Sequence, residues 1–122
     1  MLFRSLQDLN TITHAAIKAE VVRRLAHGPK LAAIDAIELF DSGLAELCDH
    51  TVAVTAPTED RVQRLMVRDN ISEDYARARI AAQKDAAWFQ ANCDTVLENN
   101  GNIDAFATKC VDFFRSFGIM DL

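Results

Sequence analysis

Six basic residues crowd the stretch from Arg61 to Lys84 (Arg61, Arg64, Arg68, Arg77, Arg79 and Lys84), opposed only by Asp69, Glu73 and Asp74. The stretch is net +3, so the rest of a chain whose overall charge is −5 carries −8. Arg64 and Arg68 stand one helical turn apart. On a helix their guanidinium forks share a face and can grip two phosphate edges. The remaining cations fall on the next predicted helix, and the short break at Asp69-Asn70-Ile71 makes the pair a hairpin able to close as a lid. The same spacing also suits a solvated face on which these arginines pair with Asp60, Asp69 and Asp74, and it does not separate the two readings. A cationic arm on an acidic body favours an anionic small molecule over a long polyanion. It argues against nucleic acid as a partner.

Other residues with chemical potential are scattered. Asp35 closes a predicted buried strand, the edge at which open α/β sheets bind ligands, with Glu38 and Asp41 just beyond it. Asp35 can equally cap the next segment. His14 sits in a helical run between Thr13 and Ala15, where a lone histidine usually packs or faces solvent. Trp88, Phe89 and the stripe from Phe106 to Phe117 fall at helical spacing and read as core before they read as a base-stacking platform. Asn99-Asn100-Gly101 reads as a left-handed turn whose backbone can also edge against a planar base. Cys48, Cys93 and Cys110 are odd in number, far apart and without a CxxC, so they read as buried thiols in a reducing compartment, with no metal role. No GxxxxGK[ST], GxSxG, HExxH or GxGxxG occurs in these residues.

The elements that must position these groups follow from periodicity and punctuation. Leu2, Leu6, Leu9, Ala16, Ile17, Val21 and Leu25 predict a helix, ended at His27-Gly28-Pro29 by a left-handed glycine cap and a proline. The apolar run from Leu31 to Ile37 predicts a buried strand. Leu39, Leu44 and Leu47 suit a helix interrupted at Ser42-Gly43, and the β-branched run Thr51 to Ala56 predicts a second strand. Thr58 is positioned to cap a helix with Val62, Leu65 and Met66 inside. Ser72 opens another that runs to about Ala91. Thr95 to Leu97 predicts a third strand, and Ile103, Phe106, Ala107, Cys110, Phe113, Phe114 and Phe117 a last helix ending at Gly118. Strands separated by helices imply an α/β fold with a short parallel sheet flanked by helices.

A chain of 122 residues, half of them hydrophobic and a quarter charged, makes one domain or a core with a small appendage. No apolar run approaches the ~20 residues of a membrane span, and the start MLFRSLQDLN does not read as a secretory signal. These features predict a cytoplasmic protein with no membrane partner.

Four motifs, in order and without large gaps from about Leu9 to Phe114, give a resemblance. TVAVTAPTEDRVQRLMVRDNISEDYARARIAAQ resembles the VVVV-x-AP…RLM-x-RD-x-S-x-E…RI-x-x-Q stretch of dephospho-CoA kinases, which are P-loop nucleotide kinases. DTVLENNGN resembles their D-x-V-I-D-N-N-G segment, LAAIDAIELFDSGLAELCD their D-x-P-L-L-F-E-S-G-L-x-x-L-C-D run, and LNTITHAAIKAEV their L-N-x-I-T-H-P-x-I element. The resemblance implies a partial P-loop kinase fold. Residues 1–29 would end the helical substrate domain that takes CoA, 30–57 and 89–122 would form the α/β core, and 58–88 would be the lid hairpin.

It further implies ATP- and Mg²⁺-dependent phosphorylation of the ribose 3′-hydroxyl of dephospho-CoA, the last step of coenzyme A synthesis. Arg64, Arg68 and Gln83 match the lid pattern and would hold nucleotide phosphate, while Asn99 and Gly101 would border the adenine. Asp35 and His14 match positions that would meet the dephospho-CoA or CoA substrate. The family's amino-terminal third, with its phosphate-cradling loop and proton-accepting acid, has no counterpart in these residues, so no catalytic residue is assigned. Ala15 and Ile37 stand in place of prolines, Glu38 in place of an apolar residue, Asp41 in place of glutamate, Lys84-Asp85 in place of Met-Pro, and Phe89 in place of lysine. The family's central strand would lie between Leu31–Asp35 and Thr51–Thr55. Without it those strands are expected to pair directly, to exchange with a second chain in a homodimer, or to await a missing amino-terminal segment. The alternatives to a truncated kinase are a non-catalytic CoA- or nucleotide-binding remnant, a dimerising α/β protein, and a helical interaction domain whose hairpin docks a protein.

Overall fold

The computed structural model describes residues 6–28 and 30–118, which divide between Asp49 and His50 into two compact units. In the first, α1 (Leu6–Ala26) follows the predicted apolar period. Glu20 accepts hydrogen bonds from Arg23 and Arg24, three and four residues on, and these hold its carboxyl at about 2. The expected apolar stripe is not buried, since Leu6 and Ile17 are at least half exposed and Leu25 is exposed too. The last turn tightens through His27 N–H to Arg24 C=O and Gly28 N–H to Leu25 C=O, both 3.3 Å. Those bonds satisfy the terminal carbonyls, so the left-handed cap expected at Gly28 is not used; the left-handed glycines among the described residues are Gly43 and Gly118. Leu2 and Pro29 lie outside the described residues.

The strand expected from Leu31 to Ile37 does not form. Ala32–Ala36 have no regular secondary structure, Leu31 is 60% exposed and Ile37 fully so. Among the described residues the sheet is Val52–Thr55 and Thr95–Glu98 alone, so this run forms no ladder of its own. An extended segment becomes a strand only when a partner satisfies its backbone, and this alanine-rich run brings little β-propensity of its own. Beyond it the chain turns through hydrogen-bonded steps (Ser42 N–H to Glu38 C=O, 2.9 Å; Gly43 N–H to Phe40 C=O, 3.1 Å) into a 3₁₀ helix, Leu44–Leu47. The expected interruption at Ser42-Gly43 is real: Gly43 has φ 80°, a left-handed conformation that costs glycine little. Leu44 follows it and is buried.

In the second unit β1 (Val52–Thr55) and β2 (Thr95–Glu98) pair in parallel, Val52 opposite Thr95 through Thr55 opposite Glu98. The sheet has two strands, so each keeps one open edge among the described residues. Between them run α2 (Thr58–Asp69), α3 (Glu73–Ala81) and α4 (Ala86–Asn92), and α5 (Ile103–Ser116) follows β2. Thr58 is the first helical residue and not the cap, a position taken by Pro57 with no side-chain bond. The helix expected to reach Ala91 is two helices. α3 closes at Ala82, and Asp85 caps α4 by accepting the Trp88 N–H at 2.8 Å. Asn70, at φ 52°, turns α2 into α3, and Ser72 caps α3 by accepting from the Tyr75 N–H. Where α2 and α3 pack together, Val62 and Ala76 are fully buried. Asn102 caps α5 through the Ala105 N–H.

Candidate functional site

The α2–α3 hairpin is held by polar clasps as well as by Val62 and Ala76. Arg77 forks onto the Glu59 carboxylate with two bonds of 2.9 Å and reaches Glu73 at 2.9 Å. Arg79 donates to Asp69 at 2.7 Å, and Arg68 forks onto the same carboxylate at 2.8 and 3.0 Å. Held first by Arg68 and then by Arg79, the Asp69 carboxyl lies well below the usual carboxylate range. Glu59 is lowered by Arg77. Arg61 donates to the Gln83 side-chain oxygen.

The surface-pairing reading thus holds for part of the cationic arm, with Asp69 as expected and Glu59 and Glu73 in place of Asp60 and Asp74. Asp69 takes Arg68 and Arg79, while Glu59 and Glu73 take Arg77. Arg64 is left out of this arrangement. It is exposed and has no hydrogen bond or ion pair among the described residues. Its neighbours on the same helical face, Arg61 and Arg68, flank it one turn to either side. Glu59, Asp69 and Glu73 are engaged by Arg77, Arg68 and Arg79, while Asp60, one turn before Arg64 on α2, makes no ion pair among the described residues; Arg64 presents a free five-donor fork to solvent. Such an arrangement can hold a phosphate oxygen.

A second group gathers where the strands end. Asn99 continues the ladder by donating its N–H to Thr55 C=O at 2.6 Å. Neither Asn99 nor Gly101 has a positive φ. A Cβ at Gly101 would meet only the Ala105 side chain, at an ordinary 3.5 Å, so the expected left-handed turn is not what glycine supplies there. Lys109 of α5, which the sequence did not single out, donates to Glu98 C=O at 2.7 Å and to Asn100 Oδ1 at 3.1 Å, pinning the segment between β2 and α5. At the other end of the strands His50 bonds Thr95 Oγ1 at 2.7 Å and lies edge-on to Phe117. Trp88, with Lys84 Nζ 5.0 Å from its ring centroid, stands edge-on to Phe89.

In the first unit His14 donates to Glu38 Oε2 at 2.9 Å, and Lys18 of the same helix to Glu46 Oε2 at 2.9 Å. His14 is not a lone helix histidine. Its partner is the acid standing where the family pattern has an apolar residue. Leu6, Gln7, Asn10, Thr11, His14 and Asp41 line an open concavity of about 690 Å³. Asp35 does not line it, and with no strand at Leu31–Asp35 it is an exposed residue on an irregular segment, with no partner among the described residues. The half-buried thiols Cys48 and Cys93 are pushed up by burial, which makes them poor nucleophiles.

The family model for dephospho-CoA kinase matches residues 4–105. A dephospho-CoA kinase of Bacillus thuringiensis is 32% identical over 118 residues, 93% of this chain and 59% of the relative. A crystal structure of a Thermus thermophilus protein aligns with TM-score 0.68 and 28% identity over 88% of this chain and 58% of that one. A Campylobacter jejuni dephospho-CoA kinase structure, at 21% identity and TM-score 0.54, shares the fold over 94% of this chain and 59% of its own. The chain spans less than two thirds of the length of these relatives.

Proposed function

The chain belongs to the dephospho-CoA kinase family, and from that premise we propose that it is the carboxy-terminal, lid-bearing part of an ATP-dependent kinase acting on the ribose 3′-hydroxyl of dephospho-CoA. The observation that carries this reading is Arg64, exposed and unpartnered among the described residues on a hairpin where Arg68, Arg77 and Arg79 are all ion-paired. Phosphoryl transfer depends on positioned cations that offset charge on the transferred group, and a free guanidinium on a hinged hairpin suits that task. In this role Arg64 grips nucleotide phosphate, Gln83 adds an amide donor, and Arg68 joins by sharing or releasing Asp69. Asn99 and Gly101 border the adenine.

The concavity beside His14 takes part of the coenzyme substrate, with the Glu38 carboxylate fixing the ring. Asp35 orients groups near the substrate ribose. Residues 1–29, 58–88 and the remaining stretches divide among substrate domain, lid and α/β core. The phosphate donors fit ATP. Among the described residues no three carboxylate, imidazole or thiol groups converge on a cation position, so no step is assigned to Mg²⁺ on these side chains.

Turnover on this reading needs a phosphate-cradling glycine loop, which these 122 residues do not contain. The edge of β1 away from β2 is where a strand carrying that loop would pair. Free thiols at all three cysteines suit a reducing, cytoplasmic setting. The reading is tested by titrating the full chain with dephospho-CoA and with Mg-ATP by calorimetry, alongside a phosphoryl-transfer assay. Binding of either ligand is expected, with no transfer until a polypeptide bearing the glycine loop is added. Heat from neither ligand overturns the reading. Binding without transfer even after that addition favours a non-catalytic binding protein, which the substitutions at Lys84-Asp85 and Phe89 would suit.

A further inference from the structure

Arg61 belongs to none of the phosphate-gripping positions above, yet it is bonded to one of them. Its guanidinium donates to Gln83 Oε1, across 22 residues of sequence, from the face of α2 that carries Arg64. A guanidinium has only donors, so the amide oxygen of Gln83 must face it, and the amide N–H₂ must face away. That N–H₂ has no partner among the described residues. The hairpin does not need this bond to hold together, because Arg77–Glu59 and Arg79–Asp69 already join α2 to α3.

We infer that Arg61 is a positioning residue for anion binding on the hairpin: by holding the Gln83 oxygen it fixes the amide with its N–H₂ presented, beside the Arg64 fork, to a phosphate oxygen. An untethered glutamine amide presents oxygen as readily as nitrogen, and an oxygen there would repel the anion. Arg61 therefore acts through orientation more than through its own charge. The inference rests on the reading of Arg64 as a phosphate ligand, and its test separates the two.

The probe is inorganic tripolyphosphate, titrated calorimetrically into the full chain at low ionic strength, with circular dichroism confirming that each variant is folded. Arg64→Gln is expected to weaken binding about tenfold or more, as for loss of a charge-assisted bond. Arg61→Gln is expected to weaken it about three- to tenfold, and Arg61→Lys, which also only donates, to recover most of that. In a Gln83→Ala background Arg61→Gln should cost nothing further, since the group it orients is gone. In a ¹⁵N spectrum the Gln83 side-chain N–H₂ signals should move on adding tripolyphosphate to the parent chain and stay in place in Arg61→Gln.

An equal loss from Arg61→Gln with and without Gln83 would assign Arg61 a purely electrostatic role and overturn the inference. So would parent-like binding by Arg61→Gln while Arg64→Gln is impaired, and in both cases the role of Arg64 would stand. If Arg64→Gln binds like the parent, or the parent does not bind, the underlying reading fails and the inference goes with it.

Discussion

Thr51 and Asp94 grip each other at the point where the two strands begin. The Thr51 N–H and hydroxyl donate to Asp94 Oδ2 at 2.8 and 3.0 Å, and the Asp94 N–H returns to Thr51 Oγ1 at 3.1 Å. Thr51 C=O then accepts the N–H groups of both Asp94 and Thr95. The pair spans 43 residues and sets the register in which Val52 faces Thr95. A two-stranded parallel sheet has few ladder bonds of its own, so side chains that fix its start matter more than they would in a wide sheet.

Thr51 is buried, so Thr51→Val keeps the shape and removes the hydroxyl from both of its bonds. We expect a loss of about 1–2 kcal/mol in urea unfolding, with the Asp94 N–H left to compete for the Thr51 carbonyl alone. Thr51→Ser, which retains the bonds, should cost distinctly less.

The same contact predicts acid sensitivity. The Thr51 N–H, and then its hydroxyl, hold the Asp94 carboxyl below the ordinary aspartate value. A folded-state value lower than the unfolded one means that stability is gained above the unfolded value, about 4, and lost as pH falls through the folded one. Midpoints measured from about pH 7 down to about pH 5 should change little through this group, then drop below about pH 4. Asp94→Asn should start from a lower midpoint and show a shallower acid decline. The decline will not vanish, because Asp69 and Glu59 are lowered in the same direction by their arginines.

Val62 and Ala76 make the apolar contact of the hairpin, and both are fully enclosed. Val62→Ala should cost about 1–2 kcal/mol by deleting buried methyl groups and leaving a small void. Ala76→Leu should cost about 1–3 kcal/mol by overfilling the same space. Hydrogen exchange of α3 amides is the direct measure, since the salt bridges outside should keep the helices formed while their opening becomes more frequent.

Asn70 carries the turn between α2 and α3 at φ 52°. Asn70→Gly should be close to neutral, whereas Asn70→Val should cost about 1–2 kcal/mol, because a β-branched residue resists the left-handed region. Thermal melts of the two variants check the order, and a reversed order would mean the turn relaxes to a different geometry.

The element order was legible in the sequence because its signals are local. Helical period placed α1, α2 and α5. The β-branched run Thr51 to Ala56 placed β1, and Ser72 announced a helix start through its capping oxygen. Four motifs in order sufficed to identify the family, since each is a short pattern that survives without knowledge of contacts. Tertiary structure decided what depends on partners. Leu31–Ile37 has a buried strand's apolar character but little β-propensity, and a strand exists only where another backbone meets it; among the described residues none does. Arg68 has a phosphate ligand's spacing, yet Asp69 beside it and Arg79 across the hairpin determine that Arg64, not Arg68, is the unoccupied cation. Side-chain type and spacing fix what each residue can bond; only the packed chain fixes which of those bonds are already spent.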